Sequence, residues 1–504
     1  MRFDIGSGRF EEPTSGGEKL AVIGSDRSLT WSAFHVEVEA MADRIRALGL
    51  PAGHPVLVRG HKEAGMVVAM AACITLDHPY IPLDLVVPME RVQRILAITG
   101  AQLVIDHSGE VFPATVAHVL DGEGALTRHP VAATAGIPFR AEDPIRYIIF
   151  TSGSTGEPKG VRITREAAAA FLRWMTADFG FGANDVFVNQ APFSFDLSVY
   201  ELFTALQLGA TLLLNDAATA KDATAFLDRV KQYDGSVWVS TPTFAYLYLT
   251  EPSFTGEQVP SLRTFLFCGE ALPKVTAQRL LDRFPAARVL NTYGPTEATV
   301  ATTLINVTRE VLERYAEMPV GFPKREGHVR TVLPDGREAT KAEPGEIEIL
   351  GPHVSIGYLN NDALNAEKFA EEAGQRVFRT GDYGWFQDGI LFFNGRRDEQ
   401  VKLNGFRIEL GDITAQMLAV PGVADALAVP LKSGETVKRI VGFVRPAPGV
   451  DQAGLVEAIN TQLHLSLPAY MVPADLMLVD VFPVNNSHKT DRKALIELYM
   501  TRPR

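Results

Sequence analysis

Cysteine is nearly absent from this chain: Cys73 and Cys268 are the only two in 504 residues, and both lie in apolar runs far apart in sequence. A disulfide framework is thereby excluded, and a reducing compartment is implied. No apolar run reaches the length needed to cross a bilayer. The first residues, MRFDIGSGRFEEP, lack the apolar core of a secretory signal. Positive charge is in deficit, with Lys+Arg 48 against Asp+Glu 60 and a net charge of -12. That balance argues against a general nucleic-acid binder or an anionic-membrane binder. Internal repeats and low-complexity segments are missing as well. What remains, 46% hydrophobic and 21% charged residues, describes a globular protein too long for one hydrophobic core. A monomeric cytoplasmic enzyme of two or more domains is expected.

From about residue 19 to 300, β-type runs alternate with helical ones. KLAVIG (19–24), HPVLVRG (54–60), QLVID (102–106), YIIFTSG (147–153), DVFVNQ (185–190), ATLLLN (210–215), SVWVST (236–241), TFLFCG (264–269) and RVLNTYG (288–294) read as strands. Segments such as 32–50 between them carry apolar residues at helical spacing. This alternation predicts an α/β fold with parallel sheets covered by helices, and ligands beyond the carboxyl ends of the strands. From about 318 to 395 short strands and turns (GEIEILG, VSIGYLN, ILFFNG) predict a small β-barrel-like or antiparallel subdomain. A charged, turn-rich stretch at 395–411 marks a boundary. Residues 1–397 are expected to form the large N-terminal domain, and 398–504 a small α+β domain with a helix near 451–466.

The strand at 147–150 runs into TSGSTGEPKG (151–160), a loop built to surround a polyphosphate. Gly153, Gly156 and Gly160 permit close backbone approach. Thr151, Ser152, Ser154 and Thr155 add hydroxyl donors to an anion-binding nest, and Lys159 adds a point charge. The spacing is not that of a P-loop, because Pro158 precedes the lysine and Gly160 follows it.

Further motifs follow in order: FSFDLSVYELF (193–203), NTYGPTEAT (291–299), GEIEILGPHVSIGYL (345–359), FRTGDYG (378–384), GRRDEQVKLNGFRIEL (395–410) and SHKTDRKAL (487–495). Together with the 151–160 loop they resemble the adenylate-forming superfamily over nearly the whole chain. Within it the chain looks most like the stand-alone D-alanine–carrier protein ligases. The resemblance implies that a carboxylate attacks the α-phosphorus of ATP and that a thiol then takes the acyl group. Both steps gather negative charge on oxygen, so cations, metal and N–H donors should carry the catalysis.

By that resemblance the 151–160 loop holds the β- and γ-phosphates. Asn291 and Tyr293 bind adenine, Thr292 and Gly294 complete the nucleotide loop, and Thr296 reaches the α-phosphate. Glu297 holds Mg²⁺, a hard ion that prefers carboxylate and phosphate oxygens. Asp382 accepts the ribose hydroxyls, and Arg396 lies near the ribose and phosphate. Lys489 bridges the substrate carboxylate and the α-phosphate during adenylation, although His488 stands where the family usually has glycine. Asp398 maps onto the hinge of a mobile C-terminal domain. Gly405 lines the channel for a phosphopantetheine arm.

Asp196 matches the carboxylate that pairs with the α-ammonium of amino-acid substrates, which disfavours a fatty or aryl acid. Leu197, Tyr200, Val239, Leu266, Cys268, Thr292, Val300 and Ala301 map onto the side-chain pocket, whose make-up suggests a methyl group. Tyr200 departs from the family, where a flexible methionine is more usual, and leaves open an alternative: a stand-alone adenylation enzyme for glycine or L-alanine serving lipid modification or nonribosomal peptide-type assembly. The chain ends soon after the Lys489 motif, so the acyl group is expected to pass to a separate carrier protein. Two other classes remain open on the residues: a non-catalytic nucleotide-binding regulator, and an acyl-coenzyme A synthetase, against which Asp196 argues.

Overall fold

A computed structural model of the chain describes residues 1–11, 18–113, 116–122, 124–129, 144–152, 157–396, 400–433, 436–483 and 490–502. It divides into two compact units. One gathers Met1–Leu85, Leu96–Ile149 and Gly160–Asn394; the other gathers Val86–Ile95, Phe150–Lys159 and Gly395–Arg504.

Two mostly parallel sheets dominate the first unit. The seven-stranded sheet runs in the order Lys159–Thr164, Ile145–Thr151, Tyr80–Asp84, Val56–Gly60, Leu103–Asp106, His118–Asp121, Leu126–Arg128. The nine-stranded sheet has the parallel centre Arg288–Tyr293, Thr264–Phe267, Val237–Ser240, Val186–Asn189, Thr211–Leu214 and Leu20–Ile23. Each run from KLAVIG to RVLNTYG therefore contains a strand. The central strands are buried on both faces, which explains their unbroken apolar character. Helix Trp31–Arg46 shows how the covering layer is made: Thr30 caps it by accepting from the Ala33 amide, and Trp31, Phe34, Val38, Met41, Ala42 and Ile45 form its buried stripe.

The 318–395 region forms a five-stranded sheet whose strands His328–Val332, Gly345–Leu350, Phe369–Glu372 and Gln375–Gln387 pair antiparallel. One strand expected there is absent. VSIGYLN pairs with the Lys159–Thr164 strand only through an isolated bridge between Tyr358 and Val161, with backbone bonds to Gly160 and Arg162 on either side. Gly357 turns the backbone to φ +92, and the Asn365 side chain satisfies both the N–H and the C=O of Tyr358. This local side-chain clasp occupies the Tyr358 backbone groups and keeps the pairing to a single bridge.

In the second unit, Val423–Ser433 pairs antiparallel with Thr436–Pro446, which pairs in parallel with Asp475–Leu478. Helices Leu410–Leu418 and Gln452–Ser466 contribute Ile413, Met417, Ile459 and Leu463 to its core. Val86–Ile95 joins this unit through Arg91, whose guanidinium lies 3.2 Å from the buried Asp412 carboxylate. Burial still pushes the Asp412 carboxyl up to about 6, against the pull of Arg91. Among the described residues no helix is long and apolar enough to cross a membrane.

Candidate active site

The carboxyl ends of the central strands in the nine-stranded sheet deliver most of the expected site residues of the first unit, as strand-end loops do in such sheets. Arg288–Tyr293 carries Asn291, Thr292 and Tyr293 to its end, and Thr296–Ala298 follows as a short 3-10 turn. The Tyr293 hydroxyl donates to Asp382 Oδ2 at 2.6 Å, so the expected adenine and ribose contacts are already neighbours. Asp382 is fixed from the other side, where its amide donates to Thr380 Oγ1 at 2.9 Å. The Asn291 amide donates to Pro319 O at 2.8 Å. Glu297 is fully buried and accepts from the Tyr358 hydroxyl at 2.6 Å. Tyr358 belongs to the quoted GYL segment, yet no sequence rule paired it with Glu297.

The residues assigned to the amino-acid pocket also converge. Tyr200, Val239, Leu266, Cys268, Val300 and Ala301 share one buried apolar cluster, with Leu197 packed against it. Val239 and Leu266 are register partners on adjacent strands. Thr292 Oγ1 donates to Phe267 O at 2.7 Å, so the Tyr200 hydroxyl, 2.8 Å away, is the donor to Thr292. The Tyr200 ring meets Phe171 edge-on at 5.4 Å and is fully buried. Burial raises its phenol well above the ordinary value, keeping it neutral. Asp196 stands at the N-cap of helix Leu197–Leu208 without capping it through its side chain.

Sequence reasoning missed a buried network behind this segment. Lys62 is fully buried; its Nζ donates to Asn189 Oδ1 at 2.5 Å and to Ala191 O, and lies 4.4 Å from the Phe193 ring centre. Asn189 Nδ2 in turn donates to Glu201 Oε1 at 3.3 Å. Burial pushes the Glu201 carboxyl up to about 8 and the Lys62 ammonium down to about 8. Glu201 lies within the FSFDLSVYELF motif, but only the fold brings Lys62 beneath it.

The remaining expected residues belong to the second unit. Lys159 Nζ pairs with Glu409 Oε1 at 3.0 Å, and Glu409 also accepts from Gln400 Nε2 at 2.6 Å. Ser152 Oγ donates to Arg407 O at 3.1 Å and accepts from the Glu409 amide at 3.0 Å. The Thr151 hydroxyl is buried with no hydrogen-bond partner among the described residues. Arg396 ends the strand Ile390–Arg396. Gly405, at φ +84, follows Asn404 at φ +52 in the turn joining Gln400–Leu403 to Phe406–Glu409, the Asn-Gly signature of a type I′ hairpin. Gly153, Ser154, Thr155, Gly156, Asp398 and Lys489 lie outside the described residues.

Nucleotide-type residues at the carboxyl ends of two sheets, Asp196 at the head of a helix whose Tyr200 bonds to Thr292, and a small α+β unit are the features of an adenylating enzyme. The chain belongs to the AMP-binding enzyme family, which it matches over residues 10–359, with the AMP-binding enzyme C-terminal domain matched over 413–489. It is 39% identical over 492 residues to a protein of Bacillus anthracis named D-alanine--D-alanyl carrier protein ligase, covering 95% of this chain and 96% of that one. A protein of the same name from Bacillus licheniformis is 39% identical over 489 residues, with the same coverage. Among solved structures, the Vibrio cholerae adenylation domain AlmE, in complex with glycyl-adenosine-5'-phosphate, aligns with a TM-score of 0.83 over 96% of this chain and 95% of that one. At 23% identity that likeness concerns the fold.

Proposed function

We propose that this chain activates D-alanine with ATP and passes it to the phosphopantetheine thiol of a separate carrier protein in the cytoplasm. In the first step a carboxylate oxygen of the amino acid bonds to the α-phosphorus, and the bond to pyrophosphate breaks. In the second step the thiol sulfur bonds to the acyl carbon, AMP leaves, and the thiol proton passes to solvent.

Asp196 accepts the α-ammonium, and the cluster of Tyr200, Val239, Leu266, Cys268, Val300 and Ala301 receives the methyl group. Tyr293 stacks on adenine while Asp382 accepts the ribose hydroxyls, its position set by the Tyr293 bond. Thr151 offers a phosphate oxygen its hydroxyl, which has no partner among the described residues. Lys159 and the 151–160 loop hold the β- and γ-phosphates, and Thr296 and Arg396 approach the α-phosphate and ribose. Lys489 brings the two anionic reactants together, removing the repulsion between carboxylate and phosphate. Rotation about Asp398 exchanges Lys489 for the Gly405 hairpin, which then lines the thiol's approach.

Glu297 would hold Mg²⁺ through its buried carboxylate, an oxygen ligand of the kind this hard ion prefers. When bound, Mg²⁺ supplies charge neutralisation on the phosphates. Tyr358 orients the Glu297 carboxylate for that role.

The observation that carries the choice of a small amino acid is the Tyr200–Thr292 bond, which sets a rigid, neutral ring into the pocket cluster. ATP–pyrophosphate exchange with D-alanine, L-alanine, glycine, D-serine, β-alanine and L-proline tests it. D-Alanine is expected to give the highest kcat/KM. Preference for glycine or L-alanine instead would leave the chemistry standing and overturn the substrate assignment.

A further inference from the structure

The turn that brings Val300 and Ala301 into the pocket cluster is strained. Thr299 has φ +50 and Val300 φ +72, so two consecutive β-branched residues occupy the left-handed region. Such residues almost never adopt it, because the branched Cβ crowds the neighbouring carbonyl. Conformations of this kind persist only where the surroundings over-determine them, and they gather at functional sites.

The surroundings here are specific. Thr299 Oγ1 donates to His353 O at 2.7 Å, and His353 Nε2 lies 3.0 Å from Thr302 Oγ1. The Ala301 amide donates to Thr299 O at 2.9 Å and the Thr302 amide to Tyr293 O at 2.8 Å. Lys324 then closes the turn from below. Its own amide donates to Thr302 O at 2.9 Å, and its Nζ donates to Ala301 O at 3.2 Å. The lysine is only 2% exposed, with Nζ 5.1 Å from the Trp174 ring centre and 6.0 Å from that of Phe171. Phe171 is the ring that meets Tyr200. A buried lysine with no ion-pair partner within salt-bridge range among the described residues is expensive to maintain, and surface exposure is its usual state. Met or Leu would fill an apolar slot at lower cost, so the ammonium has a task that an apolar side chain cannot perform.

We infer that Lys324 is a positioning residue for the amino-acid pocket: by holding the Ala301 carbonyl it keeps Thr299 and Val300 left-handed and so sets the wall against which the substrate side chain is measured. This rests on the reading of Val300 and Ala301 as pocket residues. It predicts a defect centred on amino-acid recognition, because the Lys324 ammonium holds the Ala301 carbonyl, whereas the Tyr293 hydroxyl bond to Asp382 and the Asp382 amide bond to Thr380 involve no residue of the turn.

The test is a double-mutant cycle of Lys324→Met and Thr299→Gly, read as KM for D-alanine and KM for ATP in pyrophosphate exchange, with Tm as a control. Lys324→Met is expected to raise the amino-acid KM about ten-fold or more while the ATP KM stays within about two-fold. Glycine takes positive φ without strain, so in the Thr299→Gly background the same substitution should change the amino-acid KM by only about two-fold. Equal effects in both backgrounds, or an ATP KM that rises in step, would overturn the inference. Should Lys324→Met not fold, Lys324→Leu, which likewise removes the donor, enters the same cycle, and the same background dependence is required of it. Absence of amino-acid-dependent exchange in the unaltered chain would defeat the proposed function itself. Normal exchange without the KM split defeats only the role of Lys324.

Discussion

Replacing Tyr200 by phenylalanine removes one hydroxyl from the proposed amino-acid pocket. The hydroxyl's 2.8 Å bond to Thr292 Oγ1 is lost together with its contact to the Cys268 thiol, while Thr292 keeps its own donation to Phe267 O at 2.7 Å. Thr292 loses an accepted bond in a buried setting, so stability should fall by about 0.5–1.5 kcal/mol. The ring keeps its edge contact with Phe171, and D-alanine activation should survive with KM raised less than about five-fold. Tyr200→Ala is a different perturbation. It deletes a fully buried ring, with an expected cost of about 3–5 kcal/mol, and opens space beneath the substrate methyl. One methylene in an apolar pocket is worth about 1–3 kcal/mol, so the preference for D-alanine over D-2-aminobutyrate should fall by about ten-fold or more. Chemical denaturation gives the first quantity and pyrophosphate exchange with both amino acids gives the second. If Tyr200→Phe abolished exchange in a folded protein, the hydroxyl would be taking part in chemistry rather than fixing a wall. If Tyr200→Ala kept the full preference, the ring would not bound the pocket, and the reasoning would fail.

Glu201 predicts a pH signature. Its carboxyl is raised from 4.5 to about 8 in the folded protein, so between those values the native state holds a proton that the unfolded chain has lost. Stability should therefore decline as pH rises through that window. Glu201→Gln, which mimics the protonated form, should remove that part of the slope, and denaturation at pH 5.5, 7 and 8.5 would show whether it does. Gly405→Ala forces a side chain onto φ +84, and should cost about 1 kcal/mol in the hairpin. Exchange should stay within about two-fold while thioester formation on the carrier falls about ten-fold or more; equal loss in both assays would remove the hairpin from the second step.

How much was legible depends on whether the information was local. Strand runs such as TFLFCG and RVLNTYG could be read directly, because strands buried on both faces must be apolar along their whole length. VSIGYLN misled for the same reason: its pattern is strand-like, but the Asn365 clasp that overrides it is a side-chain event. The Tyr200–Thr292 bond joins residues 92 positions apart, and Tyr358–Glu297 joins residues 61 apart. No periodicity or turn rule reaches that far. Lys324 and Lys62 were invisible because a lysine among polar neighbours looks like every exposed lysine until the fold closes over it.

The sequence by itself determined the family and the chemistry, since ordered motifs such as TSGSTGEPKG and NTYGPTEAT carry the reacting groups within short contiguous loops. Tertiary structure decided what surrounds those groups. It set the neutral phenol of Tyr200 into the pocket cluster, the buried Lys62–Asn189–Glu201 network behind Asp196's segment, and the ammonium of Lys324 under a left-handed turn. The physical reason is that burial and long-range hydrogen bonding alter the energy of a charge or a strained dihedral only after the chain has folded around it.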